Sequence, residues 1–249
     1  MRVGGWGKRG KKGSGRLTFF LFTVVQVTLY SFFFFFSVIN GIRYSFTNWD
    51  GMSQEYDFVG FRNYALLMKN PNFWKSMRTT VCYSLLLVIG VVTAALTLAI
   101  ALNSLKRFKT FVKSIFFVPA MIGGVTIALI WDQLYYRVVP LIGKALGIGW
   151  LSQSLLMSGK TALPAVVFVH AWQAVAIPTV IFIAGLQQIP EEQYESAQID
   201  GASLFQRFCY ITLPCLLPTI TVNLVLLVKQ GFTSFDFSYA LTGGGPVRA

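Results

Sequence analysis

From Leu17 to Ile42 the chain carries no charged side chain. At 1.5 Å per residue a helix of that length crosses the roughly 30 Å of bilayer hydrocarbon. In hydrocarbon every backbone N–H and C=O must find its partner inside the protein, and a helix supplies those partners within one segment. Four further apolar runs follow, at Met77 to Leu102, Ser114 to Tyr136, Thr161 to Leu186 and Cys215 to about Phe235. With 55% hydrophobic residues and a mean hydropathy of +0.61, the chain is too apolar for a soluble domain of its length. The expectation is an all-α, polytopic helical membrane protein with five spans.

The formal charge of +12 raises the possibility of nucleic acid as a partner. The basic residues sit beside apolar runs and do not alternate with stacking aromatics in a polar domain, so their placement is topological. Residues 1–16 hold Arg2, Lys8, Arg9, Lys11, Lys12 and Arg16 among glycines and read as a disordered cytoplasmic tail. Lys106, Arg107, Lys109 and Lys113 cluster after the second run. Counting these four, the six of the tail and Arg207, the inferred inside segments hold eleven cations, against eight in three longer outside segments. The N-terminus and the stretch 187–214 are therefore expected in the cytoplasm. The first run is too long for the core of a cleavable signal and lacks an A-x-A-like site, so it is expected to remain as a span.

Between spans one and two, Arg43 to Ser76 is rich in aromatics (Trp49, Tyr56, Phe58, Phe61, Tyr64, Phe73, Trp74), as suits a loop resting at the membrane interface. The Phe32 to Phe36 run reads as lipid-facing bulk. Span three is interrupted by Pro119 and by Gly123 with Gly124, and Arg137 to Lys160 follows as an external loop. Gly159-Lys160-Thr161 is no phosphate loop, because position 154 is Ser154 where that pattern needs glycine. Span four carries Pro164, Pro178 and His170, the last read as an interhelical hydrogen-bond partner. Cys82, Cys209 and Cys215 show no metal-ligand spacing and read as small buried hydrophobes. Span five contains Asn223, Lys229 and Gln230, costly groups at that depth, which makes them the candidates for a transport path; Lys229 could instead pair with Asp236.

One polar island, Gln187 to Pro214, divides spans four and five and holds Glu191, Glu192, Glu195 and Asp200, four of the nine acids. Pro190 suits a first helical position, the glutamates suit the positive end of a helix dipole, and Gly201 suits a left-handed cap. Ser203 to Gln206 is a capping-box pattern opening a second helix, with Leu204, Phe208 and Ile211 on one face and Pro214 as the stop. Two short capped helices joined at a glycine form a knob that a soluble partner could grip.

Glu195, Ser196, Ala197, Gly201, Ile211, Leu213 and Pro214 follow the pattern E-A-A-x3-G-x9-I-x-L-P, with Ser196 in place of the usual second alanine. This resembles the cytoplasmic EAA loop of the membrane subunits of bacterial binding-protein-dependent ABC importers. Pro190, Tyr194, Asp200, Ala202 and Ser203 make it similar to the carbohydrate branch, the maltose and glycerol-phosphate type. FVGFRNYALL at 58–67 resembles the external segment before the second span in that branch, where receptor docking is the alternative to interface anchoring. FVGFRNY with LTGGGP near the end looks like the first of the two unlike permeases in such systems.

The resemblance implies a type I importer transmembrane domain over 17–249 in a bacterial cell membrane. It implies a second permease of related fold, two ATPase subunits, an external binding protein and a sugar-like solute. This chain would hold no cofactor, ATP and magnesium being bound by the partner ATPase. The island 187–214, with Glu195, Ser196, Ala197, Asp200, Gly201, Ile211, Leu213 and Pro214, would be its coupling surface. In that family a further loop and span follow LTGGGP, so this chain stops one span short of the pattern. A secondary-transporter half for a small polar solute would explain the spans without the acidic knob. An intramembrane enzyme lacks support, since no HExxH, GxSxG or paired intramembrane carboxylates occur.

Overall fold

The computed structural model describes residues 12–104 and 109–243. Most of the basic tail, Lys106 and Arg107, and the end of the chain after Gly243 lie outside the described residues, as do the side chains of Lys109 and Lys113. What is described is almost wholly helical, with one isolated antiparallel bridge between Thr47 and Phe58. The chain divides into two compact units between Lys75 and Ser76.

The first unit begins with α1 (Lys12–Tyr30), a π-helical turn at Ser31–Phe35 and α2 (Phe36–Ser45). Lys12 to Arg16, expected in the disordered tail, thus already belong to the helix, which needs no break before the uncharged run. The Phe32 to Phe36 side chains are exposed, as a lipid-facing run requires. After Ser45 the backbone folds into a stapled loop: Val59 N–H donates to the Phe46 carbonyl at 2.8 Å, and the Asn63 amide donates to the carbonyls of Ser45 and Thr47. Tyr44, Trp49 and Tyr56 pack their rings within it. One helix in this stretch was not foreseen, and another starts earlier than expected. α3 (Arg62–Lys69) lies wholly inside it, and α4 (Pro71–Ser104) starts six residues ahead of the expected span, capped by Asn70 Oδ1 accepting from Asn72 N–H at 2.9 Å.

The second unit contains the packed core. On α4, Leu87, Val91, Ala95 and Ala99 recur every four residues and are fully buried, one stripe of a helix whose other face stays open. α5 (Lys109–Met121) and α6 (Gly124–Gln133) are separated at Ile122 and Gly123, where the interruption was expected. The helical path does not end at Tyr136. It continues through a π-helical turn (Leu134–Val138) into α7 (Val139–Ala145), so the first nine residues of the supposed external loop are helical, with Pro140 tolerated in the first turn.

Span four is broken rather than continuous: α8 (Gly159–Ala174) and α9 (Ala176–Leu186) meet at Val175 with a bend of 51°. Pro178 has no N–H to give the Ala174 carbonyl, which is the physical cause. Span five is bent by 65° between Cys215 and Leu217, where Pro218 opens α13 (Leu217–Thr233). α14 (Phe235–Thr242) then packs against α6 and α8, while α9 packs against α5 and α13. Among the described residues three helices are long and apolar enough to cross a membrane, and up to five segments are if each bent pair is one span.

Candidate coupling knob and hydroxyl-lined cavity

The island folds as two short helices. Pro190 adopts an extended conformation and stands just before α10 (Glu191–Ile199), one position earlier than expected, leaving Glu191 and Glu192 in the first turn. The helix ends in a complete Schellman arrangement: Ala202 N–H donates to the Ala197 carbonyl at 2.9 Å and Gly201 N–H to that of Gln198 at 3.1 Å. Gly201 has φ +77°, and an added Cβ there would meet nothing within 4 Å. Glycine is required at this bend by backbone conformation, not by space.

Ser203 then forms both halves of the capping box with Gln206 and opens α11 (Leu204–Arg207). A π-helical turn at Phe208–Thr212 leads into α12 (Leu213–Cys215), so Pro214 does not stop the helix; the bend falls at Leu216. The extra residue of the π turn also splits the expected apolar face. Phe208 and Ile211 are half-buried, but Leu204 is 78% exposed.

The two arms are tied together by Tyr194 and Thr212, whose hydroxyls lie 2.8 Å apart. The knob is rooted where α9 meets α13: a Cβ on Gly185 would come within 2.5 Å of the Thr219 hydroxyl, so the helices touch there backbone to side chain. Of the residues expected to couple, Glu195, Ser196, Asp200, Gly201 and Pro214 are exposed, and Ala197, Ile211 and Leu213 are half-buried. The Ser196 hydroxyl is satisfied within its own helix by the Glu192 carbonyl at 2.8 Å. Ile199, Leu204, Phe205 and Tyr210 are all more than 70% exposed on the same knob. Acids and large uncovered apolar side chains on one polar element mark a contact surface for a protein.

A second feature lies within the bundle. A cavity of about 290 Å³ is lined by the hydroxyl residues Thr79, Thr80 and Tyr83 of α4, Thr233 and Ser234 at the end of α13 and Ser238 of α14, together with Leu163, Gly231, Phe232 and Phe235. Beside it, the Tyr83 hydroxyl lies 2.6 Å from Nδ1 of His170 and 3.0 Å from the Ser234 hydroxyl. His170 is buried with its ring stacked on Phe237, centroids 4.4 Å apart. The histidine is thus the interhelical partner expected of it. Six hydroxyls without an ionised group can exchange hydrogen bonds with the hydroxyls of a neutral polar solute.

The three path candidates fall outside this lining. Asn223 is fully buried with neither amide atom bonded among the described residues, Lys229 is exposed, and Gln230 is half-buried. No ion pair joins Lys229 to Asp236. The cavity is built instead from the turn after Gln230 and from α4. Thr79, Thr80 and Tyr83 share one face by their spacing, but nothing in the sequence said which helix they would meet. The cysteines are also not buried: Cys82 is exposed because its neighbours Tyr83 and Ser84 take the inward positions, Cys215 is exposed and Cys209 is half-covered. Among the described residues no three His, Cys, Asp or Glu side chains could hold a metal ion.

The described residues thus form an all-helical bundle with a polar knob between two bent helix pairs. The chain belongs to the family described as the binding-protein-dependent transport system inner membrane component, whose model matches residues 86–248. It is 42% identical over 225 residues to the multiple sugar-binding transport system permease protein MsmF of Streptococcus mutans, covering 90% of this chain and 78% of that one. It is 30% identical over 231 residues to the sn-glycerol-3-phosphate transport system permease protein UgpA of Rhizobium meliloti, covering 92% and 79%. A crystal structure of a bacterial ABC transporter involved in the import of the acidic polysaccharide alginate aligns with a TM-score of 0.75 at 21% identity, over 92% of this chain and 78% of that one. The fold is therefore that of an ABC importer transmembrane domain, and the chain is a permease rather than an enzyme.

Proposed function

We propose that this chain is one of two unlike permease subunits of an ATP-driven importer for a sugar or sugar-like solute delivered by an external binding protein. The sugar class is supported by the names of its relatives and by the cavity, whose six hydroxyls and apolar faces suit a neutral polyol. ATP and magnesium would be bound by two separate ATPase subunits, and the N-terminus and the knob would lie in the cytoplasm of a bacterial cell, at its membrane.

The knob carries this reading. Two helices capped at both ends of their glycine bend, cross-tied by Tyr194 and Thr212 and seated on the α9 to α13 contact, can transmit a push into the bundle without deforming. Glu195 and Asp200 offer carboxylates to a basic group of the ATPase, and Ile199, Leu204 and Phe205 offer apolar area. Lys229, exposed on α13, is assigned to the face shared with the second permease or to the path itself, with half-buried Gln230 beside it, and the fully buried Asn223 to the packing of the same helix.

The test is uptake of a labelled oligosaccharide into vesicles holding the assembled complex, with the binding protein outside and ATP inside. Uptake should require enclosed ATP. Uptake driven by an ion gradient without ATP would reject this reading in favour of a secondary transporter.

A further inference from the structure

Between Phe58 and Trp131 the chain contains no acid. Within the first unit that stretch includes α3, which presents an apolar stripe and, beside it, a line of two cations, with Leu66 and Leu67 exposed further round the helix. Phe61, Ala65 and Met68 stand at positions i, i+4 and i+7 and make one apolar stripe, with Phe61 74% and Met68 54% exposed, while Tyr64 at its edge turns its ring toward Phe46. Arg62 and Lys69, seven residues apart and both exposed, share a line roughly 100° around the helix from that stripe. The inner side is occupied: the Asn63 amide holds the carbonyls of Ser45 and Thr47 at 3.0 and 2.7 Å, and the Tyr64 hydroxyl lies 2.7 Å from that of Ser45. The rotation of α3 about its axis is therefore fixed, and the stripe cannot turn inward to hide.

At its far end the stripe is extended by Trp74, 53% exposed, whose indole N–H donates to the Met68 carbonyl at 2.8 Å. A single residue, Asn70 in an extended conformation, separates α3 from α4, the longest apolar helix. An apolar stripe with aromatic ends, flanked by cations, free of acids and joined directly to a span, fits the boundary between headgroups and acyl chains.

We propose that α3 lies flat in the lipid–water interface, with Phe61, Met68 and Trp74 in the acyl boundary and Arg62 and Lys69 bound to the phosphates of anionic phospholipid. The occupant of the stripe is lipid, and the charge complementarity of an acid-free cationic flank selects the anionic kind. This anchorage sets the depth at which α4 enters the membrane. It is independent of which solute is carried.

The experiment uses the full chain in its assembled complex, with the native cysteines replaced and a nitroxide on Met68→Cys or, as an aqueous reference, on Met52→Cys at a loop site 94% exposed. The complex is placed in vesicles of phosphatidylcholine alone or with one quarter phosphatidylglycerol. The probe at position 68 should collide freely with oxygen and poorly with a water-soluble nickel chelate, the reverse of position 52, and should move deeper when phosphatidylglycerol is present. Arg62→Gln with Lys69→Gln should abolish that lipid-dependent shift while leaving oxygen access. Nickel access at 68 equal to that at 52 would place the stripe in water, and shielding from both reagents would place it under another protein; either result overturns the proposal. A phosphatidylglycerol shift that survives the double substitution would overturn the role of the two cations.

Discussion

The side-chain amide of Gln173 donates to the main-chain carbonyl of Ile122 at 2.7 Å, joining the end of α8 to the gap between α5 and α6. Each of those breaks leaves carbonyls without an intrahelical donor, which hydrocarbon tolerates only if another group satisfies them. This bond satisfies the Ile122 carbonyl at the gap between α5 and α6. Gln173→Leu should orphan the Ile122 carbonyl, lower stability by about 1–3 kcal/mol and slow uptake. Thermal unfolding of the purified complex beside uptake rates checks this. An unchanged melting point would show that the bond contributes nothing.

Coupling should fail at the bend before it fails elsewhere. Gly201 holds φ +77°, where a β-branched residue costs on the order of 1 kcal/mol or more and also disturbs the Schellman bonds. Gly201→Val and Glu195→Lys should each abolish uptake while the chain still inserts. Ser196→Ala should be silent, since the hydroxyl it removes bonds only within its own turn to Glu192. Co-purification of the ATPase and substrate-stimulated hydrolysis, measured beside uptake, read this out; normal uptake in both Gly201→Val and Glu195→Lys would sink the coupling role.

Local signals proved legible in the sequence and cross-helix relations did not. The capping box at Ser203 and Gln206 and the left-handed Gly201 are fixed by residues within four positions of one another, so residue type alone pointed to them. Pro178 was visible in span four, but its sequence position did not say that the helix would break there by 51°. The π turn at Phe208–Thr212 has no residue signature at all and shifted the face assigned to Leu204. The cavity was missed for a related reason: Tyr83 and Ser234 are 151 residues apart, and only packing brings them to 3.0 Å. Polarity inside a span singled out Asn223, Lys229 and Gln230, yet polarity alone does not say which way a helix faces.

At the cavity, Tyr83→Phe keeps the ring and removes the hydroxyl that links His170 to Ser234. If those groups bind the solute, the variant should assemble normally and raise the uptake KM several-fold, with Ser234→Ala acting in the same direction. Lys229→Leu should alter uptake kinetics with expression retained if the cation faces the path. Kinetics unchanged in Tyr83→Phe and Ser234→Ala would remove the cavity from the path, and unchanged kinetics in Lys229→Leu would assign that cation to structure.

The loop before α3 should withstand acid to an unusual degree. The Asp50 carboxylate accepts from Ser53 N–H at 2.8 Å, Met52 N–H at 2.9 Å and the Ser53 hydroxyl at 2.7 Å, and these bonds hold its pKa down to about 2 from 3.8. Because the folded value lies below the unfolded one, the stabilisation is fully present above about pH 4 and is lost as pH falls toward 2. The Trp49 indole donates to the Ser53 carbonyl at 2.8 Å, so it reports on the same turn. In a variant whose other tryptophans are replaced by phenylalanine, Trp49 emission should stay constant from pH 7 to about 4 and change below that. Asp50→Ala should show the acid form's emission already at pH 7, and an unaltered spectrum in that variant would mean that the carboxylate does not hold the turn.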